Sequence, residues 1–300
     1  MRIALASLLS AFITVCLLIS ESTTTAAQKS TADLVDLVRP AVVQVAVKIT
    51  DIPRTKPIPS PLDQYFRGGV IFVVGTGFFI NDAGDVVTAS HVATGVQGMP
   101  LQPGIQQIIQ TLEANGIHAE PRIGVSIPNV ETSQLRVSGG TDLFPATLVA
   151  VDTQHDIAVF HATVNPFTNM PRTFSGPGAN GLPQTKAKFV HLALNRPRDG
   201  EEIFACGFPF GEPGLVITSG IIASAWKTNT LTAVAGTGIS LPIDTYWADL
   251  RVNPGNSGGP VFRPSDQAVL GMVVQLRGSL GVVVPAKYVS ECSATIRSPW

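Results

Sequence analysis

The chain has only three cysteines, too few for the disulfide framework that staples small extracellular domains. Charged residues make up 14% of it and nearly cancel, for a formal net charge of -1 at pH 7. That balance offers no basic stripe to a nucleic-acid partner, and none is expected. After the N-terminus no stretch is long and apolar enough to be a membrane-spanning helix. The histidines and cysteines show no metal-ligand spacing, so neither a metal nor another cofactor is implied.

What the chain has in quantity is Gly (28) and Pro (23), set in a composition that is 45% hydrophobic. Helix interiors tolerate neither residue well, so many turns and short strands are expected rather than a helical bundle. A length of 300 residues allows one large domain or two small ones.

The N-terminus carries a targeting pattern. Arg2 supplies positive charge, residues 3–19 are apolar apart from Ser and Thr, and Thr25-Ala26-Ala27 offers small residues for cleavage before Gln28. Residues 1–27 are therefore expected to be a signal peptide, which sends the rest to the periplasm or outside the cell. The alternative is an uncleaved membrane anchor, since the run approaches the length of a bilayer span. Cys16 would leave with the signal. Cys206 and Cys292 remain, as a disulfide or as two separate buried thiols.

Residues 31–38 pattern as an amphipathic helix that stops at Pro40, and residues 41–49 alternate like a strand. Residues 51–63 are Pro-rich and expected to be an extended surface loop. Strand patterns follow at 70–74, 77–80 and 85–88, with the turn Asn81-Asp82-Ala83-Gly84 between the last two. Residues 104–115 have helical spacing and stop before Gly116. Further strands are expected at 122–126, 146–151, 157–162, 202–206, 215–218, 269–276 and 281–284, with a long loop at 165–184 and a closing helix at 286–296. Many short strands and little helix point to an all-β sandwich or barrel.

The sharpest motif is Asn253-Pro254-Gly255-Asn256-Ser257-Gly258-Gly259-Pro260. A serine hydroxyl is a weak nucleophile that needs a base beside it and donors for the oxyanion it generates. Glycines on either side permit a tight turn in backbone regions closed to other residues. Such a turn can aim the N–H groups of Gly255 and Ser257 at one point, an oxyanion hole. The base should be a histidine. Of the five, His91 stands at the end of a strand pattern and just before a turn, in Thr88-Ala89-Ser90-His91-Val92. His118 and His191 have no comparable setting, and His155 and His161 flank a strand. A carboxylate should fix the imidazole tautomer, and Asp156, heading the apolar run Ile157-Ala158-Val159-Phe160, is preferred over its rival Asp152.

With these residues in view the sequence resembles the trypsin-like (chymotrypsin-fold) serine proteases, and within them the HtrA/Deg family. Four collinear blocks carry the likeness: residues 32–43, Gly75-Thr76-Gly77-Phe78-Phe79-Ile80 through His91-Val92, Asp156-Ile157-Ala158-Val159, and Gly207-Phe208-Pro209-Phe210-Gly211 through Thr218-Ser219-Gly220 to the serine motif. The resemblance implies two six-stranded antiparallel β-barrels, about 38–165 and 186–290, with a short C-terminal helix and the active site between the barrels. It implies polypeptide hydrolysis through an acyl-enzyme, with His91 and Asp156 from the first barrel and Ser257 from the second. Protein quality control or processing outside the cytoplasm, on unfolded or flexible polypeptides, would be the setting. Membrane contact is expected only through an uncleaved N-terminal segment, and an oligomer is compatible with the sequence.

Departures from the family are also visible. Too few residues follow Ser257 for a PDZ domain. The His91–Asp156 interval is long, and residues 97–140 are expected to be a surface insertion. Arg251, with Val274, Gln275 and Leu276, is expected to edge the substrate pocket. Arg251 either favours an acidic side chain there, turns to solvent or pairs with Asp249. Asn256 is neutral, so the ion pair by which digestive relatives respond to zymogen cleavage cannot form. The contrasting readings are a catalytically silent polypeptide-binding pseudoprotease and an enzyme of the same fold acting on small esters.

Overall fold

A computed structural model describes residues 30–49, 70–93, 102–116, 118–126, 143–162, 189–212, 214–230 and 242–296. The expected signal peptide (1–27) and the loops at 51–63 and 165–184 lie outside these residues. Among the described residues no helix is long and apolar enough to cross a membrane.

Twelve strands form two closed antiparallel barrels of six. The first comprises β1 (Val42–Ile49), β2 (Val70–Phe79), β3 (Asp85–Ala89), β4 (Pro121–Ser126), β5 (Leu143–Asp152) and β6 (Ile157–Ala162), in the order β1-β2-β3-β6-β5-β4. The second comprises β7 (Glu202–Gly207), β8 (Val216–Thr230), β9 (Pro242–Asp249), β10 (Pro260–Arg263), β11 (Ala268–Arg277) and β12 (Leu280–Pro285), in the order β10-β11-β12-β9-β8-β7. This is the all-β, two-barrel architecture expected from the resemblance.

Local chemistry explains the elements. Helix α1 (Thr31–Val38) starts at a capping box in which Asp33 N–H donates to Ser30 Oγ and Ser30 N–H donates to the Asp33 carboxylate. It buries Leu34, Val35 and Val38 on one face and ends in a short 3₁₀ turn around Pro40. In β5 Phe144, Ala146 and Leu148 point inward while Pro145, Thr147 and Val149 face water, the alternation of a sheet with one wet face. β1 and β3 are buried along almost their whole length, because each is covered on both sides. One apolar cluster runs from Val45, Phe78 and Phe160 of the first barrel to Phe204, Phe262 and Met272 of the second. Burying one such phenylalanine contributes roughly 1.5–3 kcal/mol.

The expected insertion at 97–140 is only partly one. Residues 121–126 are β4, which pairs with both β1 and β5 and is needed to close the barrel. Helix α2 (Pro103–Ala114) is not a detached appendage either: Ile105, Ile109 and Leu112, spaced by four and three, are buried in the main cluster. The last helix, α3 (Ala286–Ala294), buries Ala286, Val289 and Cys292 and touches β5 and β6 of the first barrel as well as β11 and β12 of its own.

Candidate active site

The pairing of β3 with β6 brings His91 and Asp156 together. The register sets Ala89 opposite Ile157, so the residues just after β3 lie beside those just before β6. Ser90 N–H donates to the Asp156 carbonyl at 3.0 Å. The Asp156 carboxylate then accepts from three donors: Ser90 Oγ at 2.8 Å, His91 N–H at 3.0 Å and His91 Nδ1 at 2.7 Å. A carboxylate only accepts, so Nδ1 carries the proton and Nε2 is left as the ring's base. Burial alone would lower the His91 pKa. The hydrogen bond to Asp156 and the charge of that carboxylate outweigh it and hold the imidazole above its ordinary value. The rival Asp152 is engaged elsewhere, with His155 Nδ1 at 2.6 Å.

The Ser257 loop lies between β9 and β10 and is shaped by backbone. Gly255 (φ +97°) and Gly258 (φ +84°) both occupy the left-handed region. A Cβ at Gly255 would collide with the Phe208 carbonyl oxygen, and one at Gly258 with the Thr76 carbonyl oxygen. Within the loop Asn256 N–H donates to Asn253 O (3.0 Å), Gly258 N–H to Val273 O (2.8 Å) and Gly259 N–H to Asn256 O (2.8 Å). Among the described residues the amides of Gly255 and Ser257 have no acceptor. Phe210, itself at φ +57°, donates its N–H to the Pro254 carbonyl at 2.7 Å. In a trans peptide the C=O and the following N–H point opposite ways, so this bond turns the Gly255 N–H away from the Phe210 turn.

Thr76 was legible only as part of a motif, not as a site residue, yet it joins the two halves. Its N–H donates to Ser257 O at 2.9 Å and its hydroxyl to Gly255 O at 2.7 Å. Phe208 N–H donates to the same hydroxyl at 3.0 Å, and Thr88 Oγ1 to the Thr76 carbonyl at 2.6 Å. A strand of the first barrel thereby grips the serine loop of the second and the end of the strand that carries His91. Gly75 shows how close the pieces are: a Cβ there would press on Val92 at 2.7 Å and on the Ser257 carbonyl at 3.0 Å. The signal available in sequence was a threonine between two glycines, in the gap between the strand patterns at 70–74 and 77–80.

Asn256 is buried, and its Oδ1 has no hydrogen-bond partner among the described residues. A neutral acceptor tolerates that position at far lower cost than a carboxylate. Arg251 is exposed, and among the described residues it forms no ion pair with Asp249 or any other carboxylate. Val273 exchanges backbone bonds with Gly258 and Gly259, so Val274, Gln275 and Leu276 continue β11 past the serine loop, going from buried to 47% exposed at Leu276. Cys206 and Cys292 are separate free thiols, not a disulfide. Burial pushes both pKa values up, that of Cys292 to about 11 with help from the Asp152 charge, so neither is a poised nucleophile.

Two six-stranded barrels, a histidine–aspartate pair on the first and a glycine-flanked serine loop on the second, define the class of chymotrypsin-like folds. The trypsin-like peptidase domain family matches residues 75–272, about two thirds of the chain, and the chain belongs to that family. Among curated proteins it is 26% identical over 282 residues to a protein of Rickettsia conorii named "Probable periplasmic serine endoprotease DegP-like", covering 85% of this chain and 42% of the relative. It is 24% identical over 260 residues to human serine protease HTRA3, covering 87% of this chain and 43% of that protein. The chain thus spans less than half the length of these relatives. Among solved structures it is similar to the HtrA-type protease AlgW with decapeptide (TM-score 0.55, 21% identity, 89% of this chain and 67% of that chain). The active form of the Rv3671c protease from M. tuberculosis is also similar (TM-score 0.54, 19% identity, 91% and 90%). At these identities the structural likeness speaks for the fold.

Proposed function

We propose that this chain is a serine endopeptidase that cuts polypeptides outside the cytoplasm through an acyl-enzyme. Ser257 Oγ attacks the scissile carbonyl while His91 Nε2 takes its proton. The oxyanion settles on the N–H groups of Gly255 and Ser257, and His91 returns the proton to the leaving amine. Water then repeats the sequence to release the acyl group. Asp156 keeps His91 in the tautomer that leaves Nε2 free and stabilises the imidazolium once formed.

The observation that carries this reading is the 2.7 Å contact between His91 Nδ1 and Asp156 Oδ2, together with a serine loop whose Gly255 and Ser257 amides have no acceptor among the described residues. The names of the curated relatives support export to the periplasm, and the decapeptide in the AlgW structure supports a polypeptide substrate. Residues 274–276 and Arg251 would edge the pocket for the residue before the scissile bond, and quality control or processing would be its setting.

The test is digestion of unfolded casein together with labelling by a fluorophosphonate. The chain should do both, and Ser257→Ala should lose both, with cleavage falling by about 10⁴-fold or more. Binding of casein without cleavage or labelling would identify a silent polypeptide binder instead.

A further inference from the structure

Among the described residues three histidine–aspartate pairs stand in the first barrel, and only one has a part in the reaction proposed above. His161 and Asp85 (2.7 Å) face each other across the β3–β6 ladder, and Asn81, in the turn between β2 and β3, also holds Asp85. The pair His155–Asp152 lies directly behind Asp156 and has a different character.

Asp156 sits at φ +56°, a left-handed conformation unfavourable for a side-chain-bearing residue unless its surroundings hold it there. On one side Ser90 and His91 hold it, as described. On the other, Asp152 ties down the turn: Oδ1 accepts from Gln154 N–H at 3.0 Å and His155 N–H at 3.1 Å, and Oδ2 takes His155 Nδ1 at 2.6 Å. The His155 ring then stacks on Tyr288 of α3, with centroids 3.8 Å apart and planes 20° from parallel. The His155 side chain is only 15% exposed. The charged and titratable groups around it are Asp152, the Tyr288 phenol, Lys287 (ammonium 4.4 Å from the Tyr288 ring centroid) and the Cys292 thiol, which feels the Asp152 charge.

We infer that His155 and Tyr288 are positioning residues: α3, at the end of the second barrel, reaches back and clamps the turn that presents Asp156 to His91. The inference rests on the triad reading above. His155 precedes Asp156 directly, so slack in its ring passes into a backbone whose conformation is already costly. The clamp makes the docking of the C-terminal helix a condition for aligning the first barrel's half of the site.

The test uses the whole chain and the rate of fluorophosphonate labelling across pH. His155→Ala and Tyr288→Ala should each slow labelling by about 10- to 100-fold, the scale of a small misplacement of a reacting group. They should also move the acid limb to lower pH, because His91 loses part of the carboxylate contact that raises its pKa while burial still lowers it. Tyr288→Phe keeps the stack and should label like the parent, and the double variant should be no slower than the worse single one. If the alanine variants unfold by circular dichroism, Tyr288→Leu against Tyr288→Phe carries the same comparison. Rates equal to the parent overturn the clamp, as does slowing with an unmoved acid limb and no rescue by phenylalanine. Ser257→Ala separates the two readings. If it labels like the parent, the triad reading has failed; if it is silent while the His155 and Tyr288 variants match the parent, only the clamp has.

Discussion

His91 and Asp156 are held by side chains, whereas Ser257 is held by backbone. In the first barrel one carboxylate collects three donors from two consecutive residues, and strand register supplies the alignment. In the second, two glycines in left-handed conformations and a chain of amide–carbonyl bonds shape the loop, with Thr76 as its only side-chain hydrogen-bond partner from the first barrel among the described residues. The first kind of arrangement stands or falls with one charge. The second stands or falls with space, because no side chain fits where the backbone passes.

Changing the charge should therefore cost most and leave the fold intact. Asp156→Asn should lower kcat by about 10⁴-fold, as loss of the tautomer-fixing carboxylate does in such triads. Its pH profile should change in a defined direction. The base must be neutral, and the His91 pKa is raised, so the parent should lose rate on acidification at higher pH than a free imidazole would. Without the carboxylate both raising causes weaken, burial remains, and the acid limb should move down. A limb that stays in place would separate Asp156 from His91.

Changing the space should cost less in rate and more in structure. Gly255→Ala meets the Phe208 carbonyl oxygen at a φ unsuited to alanine, so the loop must shift and its donor with it. The expected loss is about 10²–10³-fold, the value of one oxyanion donor, together with a lower Tm. An alanine variant as active as the parent would remove Gly255 from the oxyanion role.

Thr76 sits where the two means of support meet, and Thr76→Val retains its shape while stranding Gly255 O and Phe208 N–H. That should destabilise the chain by about 1–3 kcal/mol, the cost of buried groups left unpaired, and reduce kcat by roughly 10-fold through the loop, an effect of small misplacement. Thr76→Ser should restore both, and rescue of stability without kcat would make the threonine purely structural. The smallest effect is expected at Arg251. Its side chain, exposed and without an ion pair among the described residues, should leave the rate of Arg251→Ala within a few-fold of the parent. A peptide library settles its role in selection: preference for Asp or Glu before the cut bond, lost in Arg251→Ala, would make the residue a selectivity determinant.

The same contrast explains what could be read from the chain. Side-chain chemistry leaves traces in sequence: the amphipathic pattern of α1, the turn at Asn81-Asp82-Ala83-Gly84, the helix at 104–115 and the His, Asp and Ser blocks were all visible. Strands with weak alternation were not. β10 is four residues long, β9 mixes polar and aromatic residues, and the long β8 was visible only at its start. The 121–126 strand was recognisable as a strand, yet only barrel closure shows that it belongs to the scaffold rather than to an insertion. Register was hidden as well, because the Ala89–Ile157 pairing depends on how distant segments fold together. So were Thr76, whose partners in the second barrel lie more than 130 positions away, and the stacking of His155 on Tyr288.

The most direct measurement is a crystal structure of the fluorophosphonate adduct. Phosphorus should be bonded to Ser257 Oγ, with one of its oxygens about 2.7–3.1 Å from both the Gly255 and Ser257 amide nitrogens and His91 Nε2 within hydrogen-bond reach of the adduct. Attachment to any other residue, or an adduct on Ser257 with His91 out of reach, would contradict the convergence of His91, Asp156 and Ser257 on one reacting centre.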